Sequence, residues 1–405
     1  MTGRYEPDGS YAWWRLLASL ALGTIGGIGM WSAVVVLPAI QAEFGVDRGG
    51  ASLPYTATFI GFAMGGVLLG RLADRRGIRL PLLIGTSMLS LGFVVAGLSS
   101  SYWQFVLAQA LLIGMLGSAA TFGPLVADVS LWFVRRRGIA VAIAASGSYM
   151  AGTLWPPLLQ HATAAYGWRQ AYHGIAALCL VTMLPLALLL KRRAPGTGTR
   201  AAAAPPVATA LPLSPGALQA LLVVAGIACC IAMSMPQVHI VAYCGDLGYG
   251  PARGAEMLSV MLGLGVVSRL ASGLIADRIG APATLALGSL LQCLSLFLYL
   301  PFDGLASLYL VSALFGLSQG GIVPSYALIV RDFFPAAEAG ARVSLVLMAT
   351  VVGMAAGGWM SGEIYDLTGS YQAAFLNGIA WNLLNLGIAT WLLLAGRRML
   401  RLRPA

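Results

Sequence analysis

The sequence predicts an all-α membrane protein in which twelve helices cross the bilayer. Only 9% of the 405 residues are charged and 59% are apolar, whereas a soluble globular chain carries about 25% charged residues. The apolar residues also gather into runs that are long enough for a membrane helix, which needs about 20 residues. The twelve runs lie near residues 14–40, 52–72, 80–99, 103–127, 138–160, 171–190, 216–243, 254–276, 281–301, 305–330, 341–365 and 373–395.

The positions of the basic residues orient these spans. Twelve spans place both termini on the same side of the membrane. Twenty of the 24 lysines and arginines fall on that side, three fall on the other side (Arg48, Arg169 and Arg253), and Arg269 lies within a span. Because basic loops stay in the cytoplasm, we expect both termini there, in a multi-pass protein of the cell (inner) membrane. The basic residues that give the net charge of +10 then lie next to anionic lipid headgroups, and we expect no nucleic-acid partner.

The cysteines and short motifs argue against metal, disulfide and enzyme chemistry. The five cysteines lie within apolar runs without ligand-like spacing, which is typical of small buried hydrophobic residues. The sequence contains no H-E-x-x-H, C-x-x-C or G-x-x-x-x-G-K-[ST] pattern. We therefore expect neither an enzyme nor an ATP-driven protein, and no cofactor or metal.

A repeated motif divides the chain. Residues 191–214 are rich in Pro, Gly and Ala and predict a cytoplasmic linker between two six-helix halves, residues 1–190 and 215–405. Residues 70–79 (G-x3-D-R-x-G-x-R) follow the second span, and residues 273–280 (G-x3-D-R-x-G) follow the eighth. This repeat resembles the cytoplasmic loop signature of the major facilitator superfamily, which implies that family's fold. The resemblance suggests that acid–base pairs close the cytoplasmic ends of the helices, through Asp74, Arg75, Asp277 and Arg278.

Two further segments narrow the resemblance. Residues 8–13 (DGSYAW) resemble the motif that opens monocarboxylate transporters, and residues 132–140 (WFVRRRGIA) resemble that family's entry into the fifth helix. Bacterial oxalate/formate exchangers are similar as well. The resemblance therefore implies a secondary transporter of small organic anions that works by alternating access, either for lactate- or pyruvate-like monocarboxylates or as an oxalate/formate-type exchanger.

Arg269 is the strongest candidate for the anion site. Eight residues separate it from Asp277, so it lies about 12 Å inside the helix end at 1.5 Å per residue. An arginine at that depth costs at least about 2.5 kcal/mol on insertion scales, and a guanidinium matches a carboxylate with two parallel hydrogen bonds. The monocarboxylate family places its substrate-binding arginine in the eighth helix, and Arg269 matches that position. A single cation favours one carboxylate, because residues 343–365 of the eleventh span contain no lysine or arginine.

The chain departs from the family at two positions that bear on proton coupling. Several members carry an aspartate one turn before the arginine, where this chain has Gly265, and some carry a lysine in the first helix, where Trp31 stands. His239 is then the one mid-membrane candidate that titrates near neutral pH. Either it carries a proton with the anion, which is the preferred mechanism, or it donates a hydrogen bond during anion exchange.

Other polar and aromatic residues in the spans are candidates for substrate contact or for gating. Tyr243 lies four residues from His239 and shares its helix face. Asp128 ends the fourth span, where it is either a solvated helix end or a partner of the cytoplasmic loop. We expect a monomer in the bilayer whose partner is a small carboxylate, with protons as candidate co-substrate; a non-transporting anion sensor is the alternative. The additional candidates for substrate contact are Trp31, Tyr149, Gln319, Tyr326 and Asn382.

Overall fold

A computed structural model describes residues 8–190 and 213–401, and all regular secondary structure in those two ranges is helical. We call residues 8–190 the first segment and residues 213–401 the second segment. Eleven helices are long and apolar enough to cross a membrane, and each coincides with one of the twelve predicted runs. Most of the predicted linker, residues 191–212, lies outside the described residues, so the division into two halves stays a prediction.

The first segment contains nine α-helices. The first predicted span comprises α1 (Ser10–Gly26) and α2 (Ile28–Phe44), followed by α3 (Arg48–Arg76) and α4 (Arg79–Gly97). The fourth span comprises α5 (Tyr102–Leu107), a π-helix (Ala108–Gly117), a 3₁₀ turn (Ser118–Thr121) and α6 (Gly123–Trp132). Next come α7 (Arg137–Ala145), α8 (Gly147–Tyr166) and α9 (Trp168–Leu189).

The second segment contains seven α-helices. Its first three are α10 (Pro215–Asp246), α11 (Pro251–Ile279) and α12 (Ala281–Leu298). The tenth predicted span is divided into α13 (Leu305–Gln319) and α14 (Ile322–Phe333), and the last two spans are α15 (Ala336–Thr368) and α16 (Tyr371–Arg401). The predicted run 138–160 is helical too, as α7 and α8, but it is not among the eleven candidate spans. It breaks at Ser146, and α8 contains two prolines in its interior.

Four of the predicted spans are interrupted near their middle. The interruptions fall at Gly27, at the 3₁₀ turn of residues 118–121, at Ser146 and at Gly320–Gly321. At Gly320 a Cβ atom would stand 2.4 Å from the carbonyl oxygen of Gly265 and 2.5 Å from the amide nitrogen of Arg269. Glycine is therefore required there for the tenth span to lie against the backbone of α11. Broken helices supply polar groups at membrane depth only where they line a cavity or are buried in protein.

The two segments meet along two pairs of helices. In one pair α3 packs along α15, and in the other α8 packs along α11. Three hydrophobic clusters lie wholly within the first segment, whereas the large core of the second segment also takes in residues of α2, α3 and α8. The five cysteines are reduced and buried. We call the end of the bundle near residues 71–79 and 272–280 the motif end, and the opposite end, where α3 begins, the Arg48 end.

Candidate functional site

The side chain of Arg269 crosses from the second segment to the first. Its Nη1 donates a hydrogen bond to the carbonyl oxygen of Ala145 at 3.0 Å, at the break between α7 and α8. Its guanidinium carbon lies 4.3 Å from the ring centroid of Tyr149. Its Nε is buried and has no hydrogen-bond partner, and no carboxylate in the described residues forms an ion pair with it. The positive charge is thus held between the segments with capacity to bind an anion.

Residue 265, one turn before Arg269, is a glycine, and the ring of Tyr149 occupies the space that a side chain would fill there. A Cβ atom at Gly265 would stand 2.5 Å from Cε1 of Tyr149, which is closer than real side chains approach. An aspartate at this position, as in several monocarboxylate transporters, would occupy the space of that ring. In this chain an aromatic face lies beside the guanidinium instead. A cation–π contact of this kind is worth about 0.5–2 kcal/mol and leaves the charge uncompensated.

Trp31 and a neighbouring cavity border the same helix break. The indole Nε1 of Trp31 donates to the carbonyl oxygen of Ser148 at 3.2 Å, and the tryptophan is 7% exposed. A cavity of about 110 Å³ lies against Ser148, at the interruptions of the first, fourth and fifth spans. It has apolar walls with three hydroxyl-bearing residues. Its lining residues are Gly23, Gly27, Met30, Phe59, Phe62, Ser118, Thr121, Phe122, Ser148 and Val351.

His239 is fully buried and both of its ring nitrogens have partners. Nε2 lies 2.8 Å from the carbonyl oxygen of Gly358, and Nδ1 lies 3.1 Å from the hydroxyl of Tyr371. A carbonyl only accepts, so Nε2 carries the proton. Arg48 donates to the same tyrosine hydroxyl at 3.0 Å, which leaves the hydroxyl proton for Nδ1. Both ring nitrogens of His239 are thus occupied by protein groups in this structure, and its role in proton coupling stays a prediction. Tyr243 packs edge-on against Tyr371.

Tyr326 and Asn382 belong to a separate polar cluster within the second segment. The hydroxyl of Tyr326 donates to Asn385 Oδ1 at 2.6 Å, and Asn382 Nδ2 donates to the carbonyl oxygen of Ser289 at 2.8 Å. Asn385 Nδ2 donates to the hydroxyl of Ser289 at 2.7 Å, which joins the two. The structure therefore does not bring these predicted substrate contacts together with Arg269, whereas Tyr149 and Trp31 lie at the same helix break as its guanidinium.

Arg48 joins the two segments at the opposite end, and the sequence analysis did not single it out. It is 7% exposed, and its Nη2 pairs with Asp246 Oδ1 at 3.0 Å. Its guanidinium carbon lies 4.8 Å from the ring centroid of Tyr365. Asp366 accepts from the backbone amides of Arg48 and Gly49 at 2.9 and 2.6 Å. One feature of the sequence could have pointed to Arg48: it is an arginine at the start of a span, on the side of the membrane with few basic residues.

The predicted gating residues at the motif end are not joined in this conformation. Asp74, Arg75, Asp277 and Arg278 are exposed, and none has a hydrogen bond or ion pair with any residue that the structure describes. The one ion pair between the segments within residues 8–190 and 213–401 is Arg48–Asp246. The two segments are thus held by charged groups at the Arg48 end.

Asp128 pairs with an arginine of the first helix rather than with the loop. Arg15, which is 2% exposed, donates to both carboxylate oxygens of Asp128 at 2.6 and 2.8 Å. Its guanidinium carbon also lies 4.7 Å from the ring centroid of Trp132. Asp128 is therefore neither a solvated helix end nor a partner of residues 70–79 in this structure.

The two segments that carried the resemblance to monocarboxylate transporters pack against each other. The carboxylate of Asp8 accepts hydrogen bonds from the backbone amides of Val134, Arg135 and Arg136 at 3.0–3.2 Å. These bonds, that of the Arg135 amide foremost, hold the pKa of Asp8 below its ordinary value. The ring of Trp13 meets Phe133 edge-on at 5.1 Å. The motif at residues 8–13 therefore fixes the entry into α7.

Two bundled segments with broken helices and an uncompensated cation between them define a membrane carrier. The family model described as Major Facilitator Superfamily matches residues 20–303 and 257–404, and the chain belongs to that family. It is 27% identical over 401 residues to "Monocarboxylate transporter 13" of Bos taurus, covering 94% of this chain and 89% of that protein. It is 25% identical to "MFS-type transporter 1" of Ophiocordyceps sp., covering 84% of this chain and 75% of that protein.

A solved structure agrees with the fold. The chain superposes on a bacterial homologue of the human lysosomal transporter Spinster with a TM-score of 0.73, at 15% identity and over 98% of this chain and 99% of that one. The all-helical membrane fold predicted from the sequence is thereby confirmed as the major facilitator fold. The chain is a multi-pass secondary transporter.

Proposed function

We propose that this transporter moves small monocarboxylates across the cell (inner) membrane by alternating access, with both termini in the cytoplasm. The observation that carries the proposal is the environment of the Arg269 guanidinium. The guanidinium lies between the two segments, on a helix long and apolar enough to cross a membrane, it has no carboxylate partner in the described part of the chain, and its Nε has no acceptor there. A carboxylate that binds there offsets the cost of the buried charge.

The surrounding residues support a small substrate. A cavity of about 110 Å³ lies against Ser148, which precedes Tyr149 in the chain; Arg269 does not line it, but its mostly apolar walls suit a short carbon chain. Similarity to monocarboxylate transporter 13 supports the same class of substrate. The acidic and basic residues of the repeated motif, Asp74, Arg75, Asp277 and Arg278, then close the motif end in the opposite conformation.

The test is uptake of radiolabelled short-chain monocarboxylates into proteoliposomes. We expect Arg269→Ala to abolish uptake and Arg269→Lys to lose most of it, because a point charge does not reproduce the planar fork. Arg253→Ala is the matched control, since Arg253 lies on the same helix and pairs with Glu256 on the surface. A variant without Arg269 that transports as well as the wild type would contradict the proposal.

An imposed pH gradient in the same vesicles separates proton symport from anion-for-anion exchange. In proton symport the gradient drives accumulation of the substrate.

A further inference from the structure

The side-chain amide of Gln319 is a buried donor that the protein itself leaves unused. Gln319 ends α13 at the break in the tenth span and is fully buried. Its Oε1 accepts a hydrogen bond from Nε2 of Gln237 at 2.5 Å, whereas its own Nε2 has no partner in residues 8–190 and 213–401. An unsatisfied buried donor costs about 1–3 kcal/mol, so a stable fold gains little from it unless a ligand supplies the acceptor.

The unused amide faces the same place as Arg269. A Cβ atom at Gly265 would stand 3.6 Å from Gln319 Nε2 and 2.5 Å from the ring of Tyr149. The guanidinium of Arg269 stacks on that ring, and its Nε is the other buried donor without an acceptor at this site. The two unsatisfied donors, Gln319 Nε2 and Arg269 Nε, therefore come from different helices and lie near the same tyrosine ring. Gly265 and Arg269, which mark their positions on α11, are one helical turn apart.

We propose that Gln319 is a substrate-binding residue that donates to a second oxygen of the substrate while Arg269 binds the carboxylate. The proposal rests on the function proposed above. Gln237 is the positioning residue, because its bond to Oε1 turns the NH₂ group of Gln319 toward Gly265. The preferred substrate then carries an acceptor oxygen, hydroxyl or keto, near its carboxylate. A bare hydrocarbon acid leaves the amide unpaired and binds more weakly.

Competition for uptake between acids of matched size tests this assignment. Lactate and pyruvate carry a second oxygen, and propionate has the same number of carbons without one. We expect lactate or pyruvate to inhibit uptake at concentrations about ten-fold lower than propionate, a factor that corresponds to about 1.4 kcal/mol. Equal inhibition by the three acids in the wild type would overturn the assignment, whatever the variants do.

Gln319→Met keeps the length of the side chain and removes the donor. We expect this variant to lose the preference for the oxygenated acids, so that lactate, pyruvate and propionate inhibit uptake at similar concentrations. Gln292→Met is the matched control, because Gln292 is also fully buried but donates to the carbonyl oxygen of Cys229, outside the site. A preference that survives in Gln319→Met overturns the role of Gln319 alone. Uptake that is indifferent to Arg269→Ala overturns the proposed function, and this inference with it.

Discussion

At the scale of single residues, the proposed anion site depends on a glycine that contributes no side chain. Gly265 lets the ring of Tyr149 lie against α11, and the ring in turn holds the guanidinium of Arg269 at 4.3 Å. The position that carries an acid in related transporters is therefore used for an aromatic contact. No acid within residues 8–190 and 213–401 forms an ion pair with the arginine, so the guanidinium can still bind a carboxylate.

Gly265→Ala should weaken transport without unfolding the protein. The new methyl group would stand 2.5 Å from the Tyr149 ring, so the ring and the guanidinium must shift. We expect the KM for monocarboxylate uptake to rise about ten-fold, the equivalent of about 1.4 kcal/mol. Gly387→Ala in α16 is the control, since a Cβ atom there meets nothing within 4 Å. A KM unchanged from the wild type would show that Tyr149 does not position Arg269.

At the scale of helices, the start of α1 and the loop before α7 act as one unit. Asp8 binds three successive backbone amides of the loop, and Arg15 binds Asp128 at the end of α6. Each of these residues is unremarkable by itself in the sequence. Together they connect α1, α6 and α7 at the motif end. When the first segment moves, we expect these three helices to move together.

Asp8→Asn should loosen this unit in a pH-dependent way. The pKa of Asp8 is lowered by the loop amides from an ordinary value of 3.8. Its ionised form therefore stabilises the loop above pH 3.8, and that contribution disappears as the pH falls through the lowered pKa. At pH 6 we expect faster hydrogen exchange of the amides of residues 134–136 in the variant than in the wild type. The difference should vanish well below the lowered pKa; a difference that persists there would contradict this role of the charge.

How much the sequence predicts depends on whether the signal is local. Low charge and long apolar runs are local, so the spans were predictable, and Arg269 stood out as a charge inside one of them. The partners of Arg48 were not predictable, because Asp246 and Tyr371 come from distant helices whose register the chain does not encode locally. Tyr326 and Asn382 were candidates for substrate contact, but their hydrogen-bond partners are Asn385 and Ser289 on neighbouring helices rather than Arg269, and nothing local in the sequence indicates those partners.

At the scale of the whole molecule, the two ends of the bundle are held differently. Arg48, Asp246, Asp366 and Tyr371 connect the segments at one end. The acidic and basic residues of the repeated motif at the other end are exposed and unpaired within the described residues. The structure thus corresponds to one of the two states that alternating access requires, closed at the Arg48 end.

Removing Arg48 should favour the state that is open at this end. We expect Arg48→Ala to increase the labelling rate of a cysteine placed at Ala51, which is 2% exposed and packs against the second segment. The rate should rise about ten-fold for each 1.4 kcal/mol that the Arg48 contacts contribute. The native cysteines are buried, so a polar maleimide in intact vesicles reports the new site. Arg253→Ala is the control, and an equal labelling rate in both variants would show that Arg48 does not hold the end closed.

The uncompensated charge of Arg269 also gives the transport cycle an electrical asymmetry. In the cycle proposed above, a bound monocarboxylate neutralises the charge of Arg269, so the loaded transporter changes conformation with little response to the membrane voltage. Without substrate, the same conformational change exposes the positive charge of Arg269 first to one side of the membrane and then to the other. Moving one full elementary charge across the membrane potential is worth about 2.3 kcal/mol per 100 mV. A potential that is negative inside therefore pulls the empty site toward the cytoplasm, and the voltage acts on the return of the empty carrier.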